Sequence, residues 1–299
     1  MTSDVPPQRG VMLACLACVY VVWGSTYLAM QLTVVEVGPL LASGVRFLVA
    51  GSALYLIGRG KAKVRPTWRD WLSVVPVGLS LFLCGNGFIG IAVETSGSGT
   101  IPSGTTAVVA AMMPLWIGVL GVLFGLRPTR RELLALVIGF AGILVLARGP
   151  SLKGDPVHVV LLLLSPMLWA FGSLLTRRLK FEAARDPMTL PAMQLITGGV
   201  VMLIAAPLHG EHIPTHVSGQ VWLSFSYLVL IGSLLTFTAY SWLLRNTRPI
   251  VATSYAFVNP TIAVLLGAGI HGEKLGIKLL IANAMMVIAI YLAVTKRKA

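Results

Sequence analysis

A chain of 299 residues that is 56% hydrophobic and only 11% charged lacks the polar surface a water-soluble globule of this size requires. Its net charge of +13 raises nucleic acid as a partner, and the placement of the charges decides that question. Three cysteines, Cys15, Cys18 and Cys84, all lie in apolar runs, so they form no disulfide framework and read as small packing residues.

A membrane span needs about 20 apolar residues at a rise of about 1.5 Å each. On that rule the chain reads as helices over 11–32, 39–58, 71–93 and 101–124, then a short fifth over 132–147. Five more follow over 157–176, 189–208, 221–243, 250–270 and 275–295. The first run is too long for a signal peptide and is expected to stay as a helix. Connections are short, and the linker from Arg148 to Pro156 carries Gly149-Pro150 and Gly154 between the fifth and sixth spans.

Lys and Arg orient this set. With the N-terminus cytoplasmic, eighteen of the 23 fall in inner segments and four (Arg148, Lys153, Lys274, Lys278) in outer ones, while Arg46 lies within a span. That asymmetry predicts an even number of spans with both termini cytoplasmic. It also makes the basic balance a topology signal, and nucleic acid is not expected as a partner.

An internal repeat is legible. Trp23 and Pro114 are 91 residues apart, as are Trp169 and Pro260, and the offset of 146 that relates these pairs also carries Gly121 onto Gly267. Both tryptophans lie about 12 residues, or about 18 Å, into their helices, near mid-membrane. An odd number of spans per half makes the second half enter from the opposite side. The expected fold is therefore all-α, with ten transmembrane helices as two inverted five-helix repeats over 15–147 and 157–296. Such repeats underlie many secondary transporters, whose inward-open and outward-open states become near mirror images. Pro114 and Pro260 are expected near the middles of helices four and nine. There a proline frees a backbone carbonyl, which serves either a gate beside a central site or a packing kink.

Several residues at similar depth are candidates to line that site. Arg46, the one Lys or Arg well inside a span, is costly in lipid and is expected to face protein or a water-filled cavity. Its plainer role is a structural tie to helix-end carbonyls or to Glu94, or snorkelling outward; its functional role is an anchor for a substrate carboxylate or other anion. Asn86, within Gly85-Asn86-Gly87, and Asn259, before Pro260, are the better amide candidates, followed by Gln194 on the helix that matches helix two. Asn283 reads as a link between helices. Trp23, Tyr27, Trp116, Trp169 and Tyr255 fall away from the helix ends where interfacial belts form, and suit an amphipathic organic solute better than a bare ion.

All ten acidic residues lie in loops or at helix ends. Proton coupling therefore has little support in the spans, and Glu94 is its leading candidate. The five histidines map to the outer side, and His209, Glu211, His212 and His216 read as a polar loop rather than a metal set. No metal or cofactor is expected.

These residues also carry a resemblance. Trp23-Gly-Ser-Thr-Tyr27, Gly44-Val-Arg46-Phe47 and Pro102-Ser-Gly104 leading to Met113-Pro114-Leu115 resemble the EamA branch of the drug/metabolite transporter superfamily. So do Ala252-Thr-Ser-Tyr255, Val258-Asn259-Pro260 and Gly267-x-x-x-x-Gly272-Glu273. The similarity spans both halves. It implies an inner-membrane carrier with a cavity between the halves, often exporting metabolites, amino acids or drugs, and makes Arg46 and the two proline helices family features. The first half departs from the pattern, reading Gly125-Leu126-Arg127-Pro128 where members often carry Gly-Glu.

The expected function is thus alternating-access export of a small organic metabolite, an amino acid or a similar amphipathic solute. The expected partners are that solute and the lipid bilayer, and a monomer is compatible with the sequence. A channel or a lipid-handling membrane protein is the alternative. An enzyme is not expected, since neither His-Glu-x-x-His nor Gly-x-Ser-x-Gly occurs.

Overall fold

A computed structural model describes residues 9–34, 36–60, 64–93, 109–147, 155–259, 261–262 and 277–294. Among these all regular structure is helical: α1 (Arg9–Val34), α2 (Pro39–Arg59), α3 and α4 (Met113–Leu123), then α5 (Arg130–Ala147), α6 (Pro156–Arg178) and α7 (Thr189–Leu208). Rod α3 runs through Trp68–Gly78, a π-helical stretch Leu79–Gly87, and Phe88–Val93. Rod α8 repeats that pattern with Gly219–Tyr227, π-helical Leu228–Leu235, and Thr236–Asn246. The short α9 (Pro249–Ala252), followed by helical residues 255–259, and α10 (Ile277–Val294) complete the described chain. Among the described residues six helices are long and apolar enough to cross a membrane: the start of α1, and α2, α3, α6, α7 and α8. The remainder of the expected fourth and ninth spans, with Glu94, Pro260 and Glu273 and the side chains of Tyr27 and Asn283, lies outside the described residues.

Local chemistry sets the helix ends. Thr67 and Asp70 form a reciprocal capping box that starts α3, and Thr129 and Glu132 do the same for α5. Asp155 caps α6 by accepting from Val157 N at 2.8 Å, and Ser218 caps α8. Pro114 is the residue expected to interrupt the fourth span near its middle. Residues 111–112 form a turn, and Pro114 lies in the first turn of α4. Proline's missing N–H costs least in that first turn, so the chain breaks just before it.

The two halves meet where small residues let backbones touch. A Cβ on Gly51 of α2 would lie 2.7 Å from Ile196 N of α7, and one on Gly199 of α7 would lie 2.6 Å from Leu48 N of α2. Helices α5 and α10 meet in the same way at Gly142, against Met285 and Ala282. In lipid, where no water drives helices together, close van der Waals approach of this kind is a main source of association.

Candidate functional site: an aromatic cluster beside a buried arginine

The two π-helical stretches organise the middle of the bundle. A π winding leaves carbonyls off the regular ladder, and in an apolar interior each must find a donor. Trp23 Nε1 of α1 donates to Gly232 O at 3.0 Å, and Thr236 Oγ1 donates to Ile231 O at 2.7 Å. In the other half Ser165 Oγ of α6 donates to Gly85 O at 2.5 Å, and Ser80 Oγ donates to Pro76 O at 2.7 Å. The irregular backbone is thereby tied to neighbouring helices, and its donors include one of the candidate tryptophans.

Around Trp23 the rings converge. Its ring centroid lies 4.7 Å from Tyr255, 5.0 Å from Tyr240 and 5.8 Å from Trp169, edge-on to the first and the last. Such geometries set the positive edge of one ring against the negative face of another. Tyr240, fully buried, accepts from Trp169 Nε1 at 3.2 Å and shares a 2.7 Å hydrogen bond with Ser173. Phe237 and Phe82 extend the cluster toward Phe47.

Tyr255 reaches this cluster because α9 is interrupted. Turn residues Thr253 and Ser254 carry short i to i−3 bonds into the next segment, Ala256 N to Thr253 O and Phe257 N to Ser254 O, both at 3.1 Å. Their hydroxyls bond back to Pro249 O and Val251 O, and Ser254 also meets Tyr20 OH of α1 at 2.7 Å. The Ala252-Thr-Ser-Tyr255 run is therefore a stitched break that turns a tyrosine inward.

Arg46 sits beside the cluster, linked to it through adjacent residues of α8. Only 5% exposed, it donates from Nε to Ser233 Oγ at 2.6 Å, one residue after the carbonyl that holds Trp23. Its guanidinium stands 5.0 Å from the Phe47 ring centroid, and its Nη1 is buried without a hydrogen-bond partner. Arg46 lines a narrow cleft, partly open to the outside, with about 10 Å³ of accessible volume, together with Met30 and Thr33 of α1, Ser43 of α2, and Phe225 and Leu228 of α8.

The other candidates stand apart. Gln194 is fully buried and donates from Nε2 to Thr176 Oγ1 at 2.9 Å, tying α7 to α6, while its Oε1 has no partner. Asn86 lies in the first π stretch, next to the glycine against which Trp169 packs, and its Oδ1 is buried and unpartnered. Asn259 Oδ1 and Trp116 Nε1 are likewise buried without partners, and among the described residues no ring contact joins Trp116 to the cluster. Ser233 and Ser173 are members that sequence reasoning did not single out. Their signal was a hydroxyl inside an apolar run, a position that demands a partner.

Charged groups gather at the two ends of the bundle. Where α1 ends and α2 begins, Glu211 accepts from Leu40 N and Leu41 N at 2.9 and 2.7 Å, and Glu36 accepts from Ser218 N at 2.7 Å. His209 Nδ1 stands 3.6 Å from Glu211. At the opposite end Glu132 pairs with Arg248 at 2.7 Å, and Arg248 also donates to Arg127 O. Arg177 donates to the Leu244 and Thr247 carbonyls, and Arg178 to Phe124 O.

Apolar helices with polar and aromatic groups gathered between them define an integral membrane protein. The particular class follows from comparison: the chain matches the EamA-like transporter family over residues 8–148 and again over 157–295, and belongs to that family. It is similar to the uncharacterized inner membrane transporter YedA of Escherichia coli, at 38% identity over 93% of this chain and 88% of that one. Protein PecM of Dickeya dadantii is 28% identical over 93% and 92% of the two chains. A solved structure described as "Crystal structure of protein" superposes with a TM-score of 0.75 over 96% of this chain and 97% of that one. At 19% identity that likeness shows the fold. The chain is thus a membrane transporter of the drug/metabolite transporter type, and a lipid bilayer is its environment.

Proposed function

We propose that this transporter is a secondary carrier that exports small organic metabolites, amino acids or similar amphipathic solutes, by alternating access in the bacterial inner membrane. The carrying observation is that first-half residues Trp23 and Arg46 meet second-half residues Gly232, Ser233, Tyr240 and Tyr255 at one depth. A site assembled from both halves is remodelled whenever one half rocks against the other, which is what a carrier requires. The tandem family match and the paired π stretches in α3 and α8 support ten spans as two inverted repeats over 15–147 and 157–296. The excess of arginine at the Glu132 end supports placing that end, with both termini, in the cytoplasm. Trp23, Arg46, Trp169 and Tyr255 form the substrate surface, with Tyr27, Asn86, Trp116, Gln194 and Asn259 as further lining. Pro114 and Pro260 mark the helix breaks, and Glu94 is the candidate coupling group.

The test is flux into proteoliposomes across a broad panel of labelled organic solutes. A carrier gives saturable uptake that preloaded solute accelerates from the other side. Ohmic currents without saturation would favour a channel, and correctly folded protein that moves no solute would overturn the carrier.

A further inference from the structure

We propose that the cleft at Arg46 is a carboxylate seat, so that its ligands are amphipathic organic acids, either simple monocarboxylates or the acid end of an amino acid. As a statement about transported solutes this rests on the carrier reading; as a statement about binding it stands alone.

The first argument is charge. An arginine stays protonated in proteins. Arg46 is buried, it bonds through Nε to a neutral serine, its Nη1 is unpartnered, and no ion pair joins it to a carboxylate among the described residues. A cation held this way within a span is poorly compensated by the protein alone. A carboxylate matches the planar guanidinium edge with two parallel hydrogen bonds.

The second argument is number. Among the described residues the cleft walls offer neither a second cation nor an acidic residue, only the hydroxyls of Thr33 and Ser43 among apolar side chains. One positive charge balances one negative charge. A phosphate dianion would leave an excess charge in an apolar wall, whereas a monocarboxylate would not.

The third argument is preorganisation. Ser233 fixes Nε, and Gly232 leaves room for the fork, because a Cβ there would come within 3.1 Å of Nη2. The same Gly232 presents its carbonyl to Trp23. The acid seat and the aromatic cluster are thus adjacent, and an acid with an apolar body has a partner for each end.

The test is titration of intrinsic tryptophan fluorescence in the purified full-length protein with matched probes. 3-Phenylpropionate and L-phenylalanine carry the carboxylate; 3-phenylpropionamide and L-phenylalaninamide lack it; phenyl phosphate is largely dianionic at neutral pH. At least one carboxylate is expected to bind at least tenfold more tightly than its amide and than phenyl phosphate. Binding by phenylpropionate assigns a simple acid, and binding by phenylalanine alone assigns the acid end of an amino acid. Amides that bind as well as the acids, or no binding by either acid at millimolar concentration, would overturn the proposal.

Arg46→Gln should abolish the preference for acid over amide, and Arg46→Lys should retain part of it. Should Arg46→Gln fail to fold, Gly232→Ala keeps the charge and displaces the fork. It is expected to weaken acid binding selectively, and unchanged discrimination there would count against the seat. Acid binding without flux in liposomes would sink the carrier and leave the seat. Saturable flux of neutral solutes with no preference for acids would do the reverse.

Discussion

The two ends of the bundle are closed by opposite chemistry. At one end carboxylates hold helix beginnings: Glu211 from the second half takes two N–H groups at the start of α2, and Glu36 from the first half takes the N–H of the residue that caps α8. At the other end arginines hold helix endings: Arg177 takes carbonyls at the end of α8, and Arg178 takes one at the end of α4. Each charge thus complements the unsatisfied groups and partial charge of the terminus it meets. Because every one of these contacts except those of Arg177 crosses from one half to the other, both ends are ties that the proposed movement of the halves would have to loosen. The comparison also shows an inequality. Among the described residues, only the arginine-rich end contains an ion pair between arginine and carboxylate, Arg248 with the 5% exposed Glu132 side chain.

The largest effect is therefore expected at Glu132. Glu132→Ala removes the capping box of α5 and the partner of Arg248, and should lower stability by about 2 kcal/mol, less than a fully buried pair because Arg248 is half exposed. Thermal unfolding in detergent checks it, and a loss no greater than that of a surface substitution would erase the contrast between the ends. Arg248→Ala should cost a comparable amount, since it strands the buried carboxylate.

Access should respond next. Loosening the Glu132 end shifts the population toward states open there, so a Ser43→Cys reporter in the Arg46 cleft should react more slowly with an impermeant maleimide once Glu132→Ala is added. Unchanged or faster labelling would mean that the ends are not coupled.

Glu211→Gln should cost about 1 kcal/mol, because an amide oxygen still accepts from the α2 N-terminus but brings no charge. Glu36 should give the smallest change. Its hydrogen bond from Ser218 N pulls its carboxyl below the ordinary 4.5, with His216 a minor contributor. That contribution is present above the unfolded value and is lost as pH falls through the folded one, so Glu36→Gln should flatten the acid limb of stability slightly below about pH 4. Melting curves at several pH values would show it.

Much of the scaffold was legible beforehand because lipid imposes simple rules. Long apolar runs must be helices, and α7 occupies the 189–208 expected for it, while α1, α2 and α6 differ by at most a few residues. At Pro114 the sequence pointed to an interruption but not to its place, a turn at 111–112 that leaves the proline in the first turn of α4. Arg46 could be recognised as costly, but not that its tie would be Ser233 rather than a helix-end carbonyl. Gln194 shows the limit in the other direction: a buried amide looked like cavity lining, and in the structure one side of it links two helices.

By itself the sequence determined the environment, the apolar rods and which residues would be out of place in lipid, because the cost of burying a charge or an amide depends on the residue and the solvent alone. Only the tertiary structure decided which of those residues meet. The π windings of α3 and α8 turn particular carbonyls toward Trp23 and Ser165, and the stitched break in α9 swings Tyr255 inward. Contacts such as Arg46 with Ser233 join positions 187 residues apart. No local periodicity encodes such a meeting, since it depends on how two halves pack.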